Sequence, residues 1–344
     1  MKTKSLQLGK AMSAALFVLL LSIVGMKNAL AQTQVATLQH GDDISVFYGQ
    51  NAFVEAYEVA DASDIITLSS GSFVSCDISK AITLRGAGCF QDTVSNIMPT
   101  LITGDFQLNV ENNQSFLTIE GVFFSGNTLF VSLSRPHFIK SFFHSMRNYH
   151  SDVNFLENAE FINCILEDSY FTSNTSAELI NCVVRSTNSN EQAVLAAYNS
   201  VFISGASYNN LTATNCIIGQ LAVGNYGMLD DNSIAYNCIG IKIPQSYQSP
   251  LQNTHTTFNC MSVDDYSDVF ESFDGIISYE EQYILKEEIA TGFLGTDGTE
   301  VGIHGGIMPY SSRPNYMVLK RCNVANKSTI DGKLSVDIEV VTEE

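Results

Sequence analysis

The sequence predicts an all-β chain wound as a right-handed parallel β-helix solenoid of about ten or more coils, carrying an Asn ladder and capped at both ends. Three observations lead there. Ile-Asn-Cys occurs at 162–164 and again at 180–182, and the Asn-Cys pair returns in "TATNCIIG", "AYNCIGI" and "TFNCMSV". The composition is rich in β formers, with 21 Phe and 14 Tyr beside many Ile, Val and Thr, no Trp and only six Pro, and no run beyond the N-terminus has a convincing helical period. A repeat of 16 to 23 residues is too short for a propeller blade or a helical hairpin and lacks the Leu pattern of leucine-rich repeats. What remains is a coil of short strands stacked at about 4.8 Å, and parallel crossovers are right-handed.

The chain opens with Lys2, Lys4 and Lys10 ahead of an apolar stretch over 11–26, then Ala29-Leu30-Ala31 before Gln32. This reads as a signal peptide, residues 1–31, too short in its apolar part for a comfortable bilayer span. The protein is therefore expected to be secreted, periplasmic or at the cell surface, with no transmembrane span after cleavage. Cleavage removes four of the 17 basic residues (Lys2, Lys4, Lys10, Lys27) and none of the 36 acidic ones, taking the formal charge from −19 to −23. Such a charge disfavours nucleic acid, anionic lipid and polyanions as direct partners. Residues 32–60, with "ISVFYGQNAFVEAYEVA", are apolar enough for an N-terminal cap over strand edges that would otherwise stand open.

The coils occupy residues 61–310. With the Asn of Asn-Cys as position zero, the register extends over Arg85, Thr103, Glu120, Lys140, Asn163, Asn181, Asn199, Asn215, Asn237 and Asn259. Asn tolerates the left-handed backbone of a tight corner, and its amide both donates and accepts, so the six Asn are expected to bond up and down as a structural ladder. The next position is always Gly, Ser or Cys. The residues before zero and two after it are mostly large and apolar. Free Cys behaves as a small hydrophobe, so the cysteine column selects for size. Stacked thiols and disulfides between coils both stay open, with Cys76 and Cys89 the first bridge to look for; no Cys-x-x-Cys or Cys-His spacing points to a metal. Residues 263–310 form a closing segment. The stretch "NYMVLKRCNVANKSTIDGKLSVDIEVV" within 311–344 alternates like one or two terminal strands, a C-terminal β extension.

The opening coil "DIITLSSGSF…AITLRGAG" at 64–88, the Asn column and "YILKEEIATGFLGTDGTEVGIHGG" at 283–306 together resemble the right-handed parallel β-helix proteins of pectate-lyase-like fold, especially the exported set of Bacteroidetes-type bacteria. The resemblance covers roughly residues 60–310. It implies a secreted or surface protein of carbohydrate-rich habitats. Because this fold serves lyases, hydrolases and non-catalytic binding proteins alike, it does not choose among them.

A lyase of this fold needs a strong base and cations or calcium to neutralise a uronate carboxylate. Basic residues are sparse on the coils. Their one concentration is "RPHFIKSFFHSMRNYH", which makes Lys140, His144 and Arg147, beside His137 and His150, the candidate binding residues. A hydrolase needs carboxylates set across neighbouring coils. Asp230-Asp231 and Asp264-Asp265 are adjacent pairs, and His304 with Asp297 reads as part of a closure turn. The acidic "SVDDYSDVFESFDG" lacks the spacing of a calcium loop, so it reads as a solvated excursion; calcium is the one cofactor left open, and no catalytic or metal-ligating residue is assigned. The expected function is non-catalytic binding of polysaccharide or a cell-surface component, with a polysaccharide lyase or glycoside hydrolase as the alternative.

Overall fold

The computed structural model describes residues 34–91, 98–110, 116–148, 155–172, 174–189, 192–203, 208–219, 229, 232–242, 249–251, 256–273, 281–311, 317–324 and 336–342, the last two as backbone. The expected signal peptide, His150, Asp230 and Asp231 lie outside them. The chain forms a right-handed β-solenoid of about seven turns with mostly parallel strands. Each regular turn places one strand before the Asn corner and one after it. Before the corner stack Thr118–Glu120, His137–Ile139, Phe155–Ile162, Thr175–Ile180, Val194–Tyr198, Leu211–Thr214 and Ile234–Tyr236. After it stack Phe123–Ser134, Phe142–Asn148, Ile165–Phe171, Val183–Ser189, Val201–Ile203, Ile217–Gly219 and Ile239–Ile241.

The expected count of about ten or more coils is too high, and the pairing shows why. Thr103 ends the strand Thr100–Thr103, which pairs with Gly71–Val74 and Phe123–Ser134 on the far side of the corner, so it is no rung of the Asn column. Arg85 lies opposite Glu120, and Glu120 opposite Ile139, not Lys140. The early rungs are thus one residue out of step, and the corner falls on Gly121 at φ 67°. At the other end Thr256–Phe258 and Met261–Val263 each pair with one neighbour among the described residues and remain partly exposed.

Lys140 and the six Asn all have φ between 47° and 56°, a left-handed conformation that costs most residues about 1–2 kcal/mol and Asn least. One such residue resets the alternation of a strand. Phe138, Phe161 and Leu179 point into the coil two positions before the corner, while Ile139, Ile162 and Ile180 are half exposed outside. Past the corner Cys164 and Cys182 turn inward, Ile165 and Val183 outward, and Leu166 and Val184 inward again. Both apolar columns flanking the corner therefore lie on the outside.

The inward column after the corner is a hydrogen-bond ladder. Cys182 Sγ donates to Phe161 O (3.1 Å) and Ile180 O (3.4 Å), Ser200 Oγ to Leu179 O (3.1 Å) and Tyr198 O (2.9 Å), and Cys238 Sγ to Tyr236 O (3.2 Å). Ser200 Oγ also accepts from Cys182 N at 3.1 Å. A reset corner aims backbone groups into an apolar interior, and a short side chain that donates and accepts satisfies them. The cysteines described, Cys76 and Cys89 included, are free thiols, so that bridge is not formed.

At the N-terminal end, Val35–His40 and Asp43–Tyr48 form a hairpin whose first strand pairs antiparallel with Ile65–Leu68. A helix follows at Ala52–Val59, where the composition suggested none. Its eight residues are too few to show a period, yet Ala52, Phe53, Ala56 and Tyr57 are buried in the same core as Ile66 and Leu84. Lys80 Nζ donates to Tyr57 O (2.9 Å), Glu58 O (3.2 Å) and Ala60 O (2.7 Å), a cation on the helix C-terminus. Met317–Val324 and Val336–Thr342 form a separate antiparallel pair.

Candidate functional site

The closing segment runs back along the flank of the coil, over the Asn corner. Asn237 Nδ2 donates to Leu294 O; Asn215 donates to Thr296 Oγ1 (3.2 Å) and accepts from Thr296 N (2.9 Å); Asn199 donates to Glu300 O (3.5 Å). Asn181 Nδ2 donates to Ile303 O (2.8 Å) and Gly305 O (2.7 Å), and Asn163 to Pro309 O (3.5 Å). These bonds depart from the expected ladder. One Asn-to-Asn bond, Asn259 Nδ2 to Asn237 Oδ1, joins the column among the described residues, and five amides hold the closing segment. The glycines there have a steric reason: a Cβ on Gly305 would sit 1.7 Å from Glu300 O.

Beside the amides, the segment covers the apolar column past the corner. Ile165, Val183, Val201, Ile203, Ile217 and Ile239 are buried with Val269, Phe270, Tyr283, Val301 and Ile303 in a second cluster outside the coil. The acidic stretch, described over 262–273, contributes to it. Tyr266, Phe270 and Phe273 are buried, Asp265 Oδ1 accepts from Ser267 N at 2.8 Å, and Asp264 faces Lys242 at 3.9 Å. No group of three metal-ligating side chains occurs among the described residues.

The candidate residues separate. Lys140 occupies a corner position with its side chain 6 % exposed, and burial lowers its pKa against the opposing charge of Glu120. His144 and Arg147 lie on the strand beyond, outside the covered column. His144 Nδ1 is 2.6 Å from Glu167 Oε2, and Arg147 Nη2 is 2.7 Å from Asp168 Oδ2. Glu167 also faces the buried Arg185 at 3.6 Å, so His144, Glu167 and Arg185 stack over three turns. Burial pushes the neighbouring Tyr283 hydroxyl up to about 12. Glu167 and Arg185 were not singled out by the repeat; their equal offset of four residues past Asn163 and Asn181 is the signal that places them side by side. His137 Nδ1 pairs with Glu160 Oε2 at 3.0 Å, and His304 Nε2 meets Gln282 O at 2.6 Å inside the closing segment.

Among the described residues, no such cover lies on the opposite flank. Its column of Ile139, Ile162, Ile180, Tyr198, Tyr236 and Phe258 is half exposed to exposed, with the rings of Tyr236 and Phe258 stacked at 4.9 Å. Next to it lies a half-open groove of about 260 Å³, lined by Asn158, Glu160, Ser176, Glu178, Val194 and Ala196 among others. The groove follows from the sequence: Ser176 and Ala196 are short outward residues between longer ones. Asn158, at φ 50°, sits where the pairing register of its strand shifts, and its backbone N donates to Ser176 Oγ at 2.7 Å.

Fold and surface together define the class, a right-handed β-solenoid of mostly parallel strands with one flank closed by its own chain and the other open among the described residues. Comparison with models of known protein families, with curated proteins and with solved structures finds no match for this chain. No helix among the described residues is long and apolar enough to cross a membrane.

Proposed function

We propose that this is an exported, non-catalytic protein that binds a polysaccharide along the open flank of its solenoid, at the surface of the cell or outside it. The observation that carries the reading is the contrast between the flanks. Large apolar columns border both sides of the corner. One is sealed by the closing segment, while the other stays exposed among the described residues. It lies beside a groove where Asn158, Glu160, Ser176 and Glu178 converge next to Val194 and Ala196, an apolar surface with polar groups at its edge that suits a ligand. The pectate-lyase-like, Bacteroidetes-type resemblance of the repeat and closing motif adds the expectation of a glycan-rich setting. The catalytic alternative draws less support. His144 and Arg147, the bases it would use, are already paired with Glu167 and Asp168, and the open flank carries few cations to receive a uronate.

The test is incubation of the full chain with acidic and neutral polysaccharides, with and without calcium, following unsaturated-product absorbance, reducing ends and binding together. Binding without product is expected. Product formation from any polysaccharide would replace this reading with the lyase or hydrolase one.

A further inference from the structure

Resting on that reading, we infer that the open flank selects a neutral polysaccharide, lying along the coil axis over Tyr198 with its hydroxyls in the groove beside it. The strand Val194–Tyr198 points Val194, Ala196 and Tyr198 outward in one row; Val194 is 55 % and Tyr198 38 % exposed. Glu178 and Ser176 stand on the turn before, Glu160 and Asn158 one turn further back. A pyranose ring has an apolar C–H face and a rim of hydroxyls. Tyr198 offers the flat apolar contact, continued along the axis by Ile180 and Ile162 on the turns before it. Two carboxylates accept hydroxyl protons, and Asn158 and Ser176 both donate and accept. Successive turns rise by about 4.8 Å, close to the length of one pyranose unit, so a chain along the axis presents a ring to each turn.

Charge selects against the other classes. Glu160 and Glu178 face each other directly across neighbouring strands, and His137 Nδ1, one turn back, lies 3.0 Å from Glu160 Oε2. Two arginines of this flank among the described residues are also engaged: Arg85 Nε lies 3.6 Å from Glu120 Oε2, and the Arg135 guanidinium stacks 4.4 Å from the Phe116 ring. A uronate or sulfated chain would bring anions against carboxylates on a protein of formal charge −19, a repulsion felt across the whole approach. Sugar hydroxyls need no counter-charge. A carboxylate accepts a sugar hydroxyl as it accepts water, so the exchange costs little.

Affinity electrophoresis of the full chain through neutral glucan, xylan and mannan, a polyuronate and a partly deacetylated chitin, each at low and high salt, decides the matter. The expected result is retardation by a neutral polysaccharide that persists at high salt. Tyr198→Ala should weaken it about tenfold, while Tyr170→Ala on the other flank leaves it unchanged, with circular dichroism confirming that both variants fold. Preference for the polyuronate or the amino polymer, fading with salt, would overturn the neutral class and leave the polysaccharide reading standing. Loss of binding in Tyr170→Ala but not in Tyr198→Ala would overturn the inference too, since it moves the site off the open flank. Retardation by none of the polysaccharides would sink both.

Discussion

Ser200 is the residue that explains the cysteines. It interrupts the column Cys164, Cys182, Cys216, Cys238, Cys260 and makes the same bonds they do, with its oxygen in place of sulfur. A position chosen for size alone would accept Ala equally well. A position chosen for hydrogen bonding would not, because Cys182 N would be left buried without the Ser200 Oγ that accepts from it, at about 1–3 kcal/mol. Ser200→Ala should therefore lower the urea midpoint by that much at unchanged slope, and Ser200→Cys should cost less than about 1 kcal/mol. Equal midpoints for the two variants would return the column to a size filter. The chemistry was not legible in the repeat: Gly, Ser and Cys are all small, and only the fold shows backbone groups aimed inward at that corner.

The closing segment is the element whose role the repeat least revealed. Its sequence, glycine-rich and ending in "GIHGG", marks it as a closure, but the direction it runs depends on partners more than fifty residues away. The Asn column announced the corner because one backbone conformation recurs at every rung. Which way each amide points was not readable, since Asn bonds to another Asn or to a passing carbonyl with the same groups. The outward apolar column was visible as well, without its cover. Phe270 tests that cover. It is 1 % exposed and packs against Phe273 and Tyr283 with ring centroids 5.7 Å from each. Phe270→Ala should cost about 3–5 kcal/mol and release 266–303 to hydrogen exchange before the coil. Asn181→Gly separates the two roles of the corner. Glycine keeps the left-handed backbone but drops the bonds to Ile303 and Gly305, so the segment should lose about 1–3 kcal/mol of protection while the strands on either side keep theirs. Equal loss in both would mean the amide holds the coil itself.

Seen whole, the molecule buries thiols and phenols on both sides of its wall, and this gives its stability a definite pH dependence. Inside the coil burial raises Cys182 and Cys238 well above their ordinary 9.0, and in the outer cluster it raises Cys89 from 9.0 to about 12. Outside the coil burial raises Tyr283 to about 12 and Tyr310 in the same direction. In each case the native state holds its proton more tightly than the unfolded chain. The stabilisation is therefore complete below about pH 9, where both states are protonated. It declines as pH rises toward 12, because the unfolded chain releases protons that the native one keeps. Every such thiol removes up to about 1.4 kcal/mol per pH unit over that window. Guanidinium midpoints measured from pH 7 to 11 should be flat to about 8.5 and then fall, more steeply with each further unit. Cys89→Ala should give a shallower fall over the same window, since one of the titrating groups is gone. A midpoint unchanged between pH 9 and 11 would mean that the unfolded chain gains nothing by ionising these groups, and that the thiols of the column are not held protonated within the wall.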